Sequence, residues 1–115
     1  MTATSVLGQR TKTSLEGRDA AAHGYPIQLA DLLARLPGAA YVARGSVDTH
    51  TNVARTKRMV ATALATQLRG DGFSFVEIVT MCPTGWFVDT REAPAYLRDR
   101  LAPVHAFGVL KGGHD

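Results

Sequence analysis

Cysteine is nearly missing from this chain. Cys82 is the only one in 115 residues, so no internal disulfide can form and no iron-sulfur cluster, which takes about four thiolates, can be held. A reducing, cytoplasmic setting is expected. No apolar run approaches the roughly 18 residues of a membrane span, and the amino terminus lacks the basic and apolar regions of a secretion signal, so no membrane partner is expected. The histidines, His23, His50, His105 and His114, show no helical pair and no Cys/His spacing; no metal site is expected. Neither Gly-x-Gly-x-x-Gly nor a Walker pattern is present to cradle phosphate. No catalytic residue is assigned, because Cys82 as nucleophile would need a partner base, and cysteine before proline at a strand end more often packs. Aromatics are 7% of the chain and do not interleave with the densest basic patch, Arg55, Lys57 and Arg58. Three basic residues within one helical turn read as a solvated face, and no nucleic-acid partner is expected.

What is present is the composition of one small globular domain, 45% hydrophobic and 20% charged. Residues 1–25 read as a loop segment with no sustained period, a form that is either functional or a frayed terminus. From Pro26 the pattern changes. Leu29, Leu32, Leu33 and Leu36 recur at helical steps until Pro37-Gly38, and Ala39 to Arg44 reads as a short strand. Asp48, Thr49 and Thr51 are good helix caps, and Val53, Val60, Leu64 and Leu68 predict a helix over Asn52 to Arg69 with that face on the sheet. Gly70 suits the left-handed position beyond it.

Phe73 to Thr80 is a nearly continuous apolar run, predicting a strand buried on both faces, and Pro83 and Gly85 end it with a sharp turn. Strand, helix and strand make a parallel βαβ unit, and ligands in such sheets gather beyond the strand ends, here Met81 to Trp86. Arg91 to Leu101 predicts a short helix with Pro94 in its first turn, and Val104 to Leu110 a short strand. Two or three strands leave raw edges that something else should cover. Glu77 interrupts the apolar strand, so it pairs with an arginine or meets another chain. Trp86 and Phe87 would expose apolar area and mark a partner surface or a pocket wall.

Phe73 to Trp86 resembles the run near the end of the thiamine-diphosphate-binding β subunit of 2-oxoacid:acceptor (ferredoxin) oxidoreductases. Two further segments match in the same order. They are Leu7-Gly8-Gln9-Arg10-Thr11-Lys12-Thr13-Ser14 with Gly17-Arg18-Asp19, and His23-Gly24-Tyr25-Pro26-Ile27 leading to Ala40-Tyr41-Val42-Ala43-Arg44. The resemblance implies an α/β fold, the carboxyl-terminal half of a doubly wound, mostly parallel thiamine-diphosphate-binding sheet, with residues 26–115 as an incomplete α/β domain. By position, Thr2, Thr4, Gly8 and Gln9 would border the cofactor pocket.

The family holds thiamine diphosphate and magnesium through a Gly-Asp-Gly motif and a later asparagine-containing turn, both read as missing here, so no cofactor is expected to bind this chain alone. The implied role is as a component or fragment of the oxidoreductase, taking part in oxidative decarboxylation of a 2-oxo acid to an acyl-coenzyme A. Branched-chain 2-oxo acid, 2-oxoglutarate and pyruvate are all compatible substrates. The implied partners are the missing amino-terminal half of the β subunit, the α subunit, and indirectly a ferredoxin-like acceptor. A split subunit and a truncated gene product both fit. The alternative reading is a non-catalytic α/β interaction module docking through its strand edge and Trp86.

Overall fold

The computed structural model describes residues 3–113. In chain order the elements are α1 (Ala20–His23), α2 (Leu29–Ala34), β1 (Ala39–Ser46), α3 (His50–Arg69), β2 (Phe73–Val79), α4 (Pro83–Trp86), α5 (Ala93–Tyr96), a π-helical turn (Leu97–Leu101) and β3 (Gly108–Lys111). They form two compact units, one drawn from Met1–Gln28 and Met81–Val104, the other from Leu29–Thr80 and His105–Asp115.

In the sheet unit the small and β-branched residues of β1 let it lie at the centre, in the order β2-β1-β3. β1 and β2 are parallel, from Ala39 opposite Phe73 to Ser46 opposite Val79, with a register shift after Ala39. The α/β class and the βαβ unit are therefore present. β3 runs antiparallel to β1, so the sheet is mixed. β3 also starts later than the predicted Val104.

Side chains alternate across the strands. Ala39 and Val42 pack with Ala30 of α2, flanked by Phe75 and Leu110, while Tyr41 and Ala43 pack with Met59 of α3, flanked by Ala63 and Val76. α3 begins two residues before the predicted Asn52, because Thr49 is its cap and accepts from the Asn52 amide at 3.1 Å. Gly70, at φ 70°, closes it in the left-handed conformation.

The predicted face of α3 is wrong. Thr56, Met59 and Thr66 are its buried residues, whereas Leu64 is 61% and Leu68 89% exposed, with Val60 exposed as well. The reason is close approach. A side chain at Gly45 would overlap the Thr56 hydroxyl, and that hydroxyl accepts from the Ser46 amide at 2.9 Å and donates to the Ser46 carbonyl at 2.8 Å. At this crossing the helix has room for threonine and not for leucine, and the larger Met59 packs one turn further on, against Tyr41 and Ala43. β2 also departs from the expectation of burial on both faces: Phe73 and Ile78 are exposed, and no described strand pairs its outer edge.

In the other unit Trp86 is only 6% exposed. Its ring stacks on Tyr96 with centroids 5.1 Å apart, beside the buried Ala93, Leu97 and Leu101. It is core, against the expectation of exposure; Phe87 is exposed. Pro94 lies in the first turn of α5 as predicted, but the chain passes into the π-helical turn instead of continuing as one α-helix. The sharp turn belongs to Phe87, whose φ of 57° closes α4, while Gly85 lies buried inside that helix. Among the described residues no helix is long and apolar enough to cross a membrane.

Candidate functional site

The amino-terminal loop is not frayed in its described part. Arg18, buried, organises it: Nη1 donates to the Ser5 hydroxyl at 3.0 Å, Nε to the Gly24 carbonyl at 2.9 Å, and Nη2 to the His23 and Tyr25 carbonyls at 3.2 and 3.1 Å. A planar five-donor guanidinium can gather several carbonyls that no ladder would satisfy. Backbone bonds from Gly8 to Arg18 and from Arg18 to Gln9 tie the strands of the loop together, and the Lys12 amide donates to the Gly85 carbonyl at 3.0 Å. The guanidinium of Arg10 lies 4.8 Å over the Phe87 ring. The loop and the Met81 to Phe87 segment, two separate places to look for a site, thus belong to one assembly. Arg18 is the residue that sequence reasoning missed as an organiser. Its only signal was its place in the Gly17-Arg18-Asp19 match.

Of the four pocket-bordering residues, Thr2 lies outside the described residues, Thr4 is partly buried, and Gly8 is exposed in the left-handed conformation at φ 78°. Gln9 is fully buried. Its Oε1 accepts from the Val6 amide at 2.9 Å, while Nε2 has no hydrogen-bond partner. A buried donor left unmatched costs about 1–3 kcal/mol, and among the described members of the set Gln9 carries one. Nearby in this unit a cavity of about 450 Å³ is lined by Val6, Leu7, Tyr25, Pro26, Arg100 and Val104 among others. Its wall is fastened by the Gln28 amide on the Val104 carbonyl at 2.7 Å.

The sheet unit has its own polar centre. Arg44 is buried and donates to Asp31 at 2.6 Å, to Glu77 at 2.8 Å and to the Ala106 carbonyl at 3.2 Å. Burial lowers the guanidinium pKa, but the hydrogen bonds to Asp31 and Glu77 outweigh it and the net shift is upward. Glu77 therefore has the arginine partner that its place in an apolar strand required. Close by, Ser46, Asp48 and Asn52 bond to one another at the start of α3. Both groups are internally matched and hold the fold.

No group of three or more His, Cys, Asp or Glu among the described residues is placed to hold a metal, and Arg18 donates to carbonyls and to Ser5. The tripeptide Gly70-Asp71-Gly72 does spell the family's first motif, but no asparagine follows it, Asn52 being the only one. Gly70 caps α3, and Asp71 accepts from the neighbouring Arg69 at 2.7 Å. It is a helix-to-strand turn.

No family model matches the chain, and no solved structure does. Over 101 residues, 88% of its length, it is 33% identical to ketoisovalerate oxidoreductase subunit VorA of Methanothermobacter marburgensis. It is 32% identical over the same length to the subunit VorA of Methanothermobacter thermautotrophicus. The chain is homologous to part of VorA. It spans 21% of the length of these relatives, a single stretch of a much longer polypeptide. The resemblance to 2-oxoacid oxidoreductases is thereby supported, while the relatives carry the designation VorA and no β label.

Proposed function

We propose that this chain is a segment of a 2-oxoacid:ferredoxin oxidoreductase subunit, working only beside a polypeptide that carries the thiamine diphosphate and magnesium motif. The observation that carries the reading is the match of 88% of the chain to one stretch of VorA. In the reaction proposed, a 2-oxo acid loses carbon dioxide, its acyl group passes to coenzyme A, and two electrons pass to ferredoxin or a similar acceptor. Branched-chain 2-oxo acids are the proposed substrates, in line with the name of the relatives. The finer assignment, to the thiamine-diphosphate-binding β subunit, rests on the three sequence segments. Within it, Thr4, Gly8 and Gln9 border the cofactor, and the stranded amide of Gln9 supports a role in meeting an acceptor there.

The test is an assay of the assembly purified through a tag on this chain from its own cells. Coenzyme-A-dependent oxidation of 2-oxoisovalerate, read by reduction of a viologen dye, is expected from the assembly and not from the chain alone. An assembly inactive on 2-oxoisovalerate, 2-oxoglutarate and pyruvate alike removes the reading. It leaves a non-catalytic interaction module, which the exposed α3 leucines favour.

A further inference from the structure

The reading above requires a companion chain, and the sheet unit carries a surface shaped for one. β2 stands at the border of the sheet, with β1 on one side and no described strand on the other. Its composition is that of an interior strand. Phe73 and Phe75 put apolar side chains on one face and Val76 and Ile78 on the other, whereas natural edge strands carry charges, proline or bulges against unwanted pairing. Glu77, the one charge in β2, is held inward by Arg44 at 2.8 Å and does not guard the edge.

α3 continues this surface. The Gln67 amide donates to the Gly72 carbonyl at 2.7 Å and the Ser74 hydroxyl at 2.8 Å, which identifies the flank of the helix that overhangs β2. Each residue turns the helix by about 100°. From the sheet-facing Met59, that rotation reaches Ala63 at about 40°, Gln67 at about 80°, Val60 at about 100°, Leu64 at about 140° and Leu68 at about 180°, on the side away from the sheet. The exposed apolar residues are therefore not scattered around α3. They form a stripe that climbs from the flank over β2 at Val60 and Leu64 to the outer side of the helix at Leu68, and Ile78 is exposed on the same face of β2.

We infer that the outer edge of β2 and the Val60, Leu64 and Leu68 flank of α3 are the docking surface for a parallel β-strand with an adjoining apolar helix face. The strand and helix are carried by the part of the oxidoreductase subunit that this chain does not span. The inference rests on the proposed function and names the surface through which that function is assembled. A row of unpaired backbone donors and acceptors is satisfied along its length by a strand, and leucines four residues apart are covered by the ridges of a second helix. Strands apolar on both faces belong to parallel sheets. Two copies of this chain meeting about a two-fold axis normal to the sheet would pair antiparallel, so a second copy is not the occupant. The length is there to supply one, since the relatives extend far beyond the stretch matched here.

The tagged assembly is compared with the free chain by hydrogen exchange and by cross-linking from Lys57, beside wild type and the double variant Leu64→Glu, Leu68→Glu. Both substituted positions are exposed, so the free variant should keep the wild-type melting temperature. In the assembly, amides of β2 should exchange at least about tenfold more slowly, and cross-links should reach peptides related to VorA outside the matched stretch. The double variant should weaken association at least about tenfold, and Arg58→Glu should not. Unprotected β2 amides, or undiminished association of the double variant, in an assembly that still oxidises 2-oxo acids would overturn this inference alone. Two copies of this chain in the active assembly, cross-linked β2 to β2, would overturn the occupant. An assembly without any oxidoreductase polypeptide would remove both this inference and the function on which it rests.

Discussion

Arg44 is buried with its charge divided between Asp31 and Glu77, and such a group is costly to break from one side. Arg44→Met leaves the mostly buried Glu77 carboxylate without its partner, while Asp31 keeps access to water, and should cost about 3 kcal/mol, read from urea unfolding. Tyr41 behaves differently, because it titrates. Burial raises its pKa above the ordinary value, the hydrogen bond with Thr62 pulling it back. The neutral phenol is thus favoured in the folded chain, and its contribution is intact below about pH 10. It is lost as pH rises through the higher folded value. The melting temperature should fall more steeply for wild type than for Tyr41→Phe between about pH 9 and about pH 11; parallel curves would show that the phenol does not ionise there. Gln9 and Arg18 mark the limit of sequence reading at this scale. A side chain that clamps carbonyls leaves no periodic trace, so the organiser of the amino-terminal loop was visible only as part of a matched segment.

Among the elements, the inner face of α3 is decided by closeness and not by hydrophobicity. Met59→Asp should cost several kcal/mol by placing an unpaired charge against Tyr41 and Ala43, whereas Leu64→Asp should shift the free chain by less than about 0.5 kcal/mol. Thermal unfolding of the two variants gives the comparison, and similar losses would contradict the packing. Gly45→Val should be as harmful as Met59→Asp, since its side chain meets Thr56. The spans of α3 and β2, the Gly70 cap and the parallel βαβ unit were legible because capping residues and apolar runs report local conformation directly. The inner face was not. In α3 the strongest apolar period belongs to leucines that face outward, so reading the period as the core face put the sheet on the wrong side of the helix.

For the whole molecule, the free chain should sediment as a concentration-dependent mixture, driven by Phe73, Ile78, Leu64 and Leu68. The double variant Leu64→Glu, Leu68→Glu should move it toward monomer. Through this, Trp86 should keep a near-ultraviolet dichroism signal, because its stacking on Tyr96 is internal to its own unit. A monomer at every concentration would show that the apolar border is too small to act. The open border of β2 also has a consequence for the lifetime of the polypeptide. In a cell, an unpaired apolar strand invites chaperones, and the transient openings that expose it admit proteases. Copies made in excess of the covering partner should be degraded, so the steady-state amount of this chain should follow synthesis of the partner and be insensitive to the strength of its own promoter.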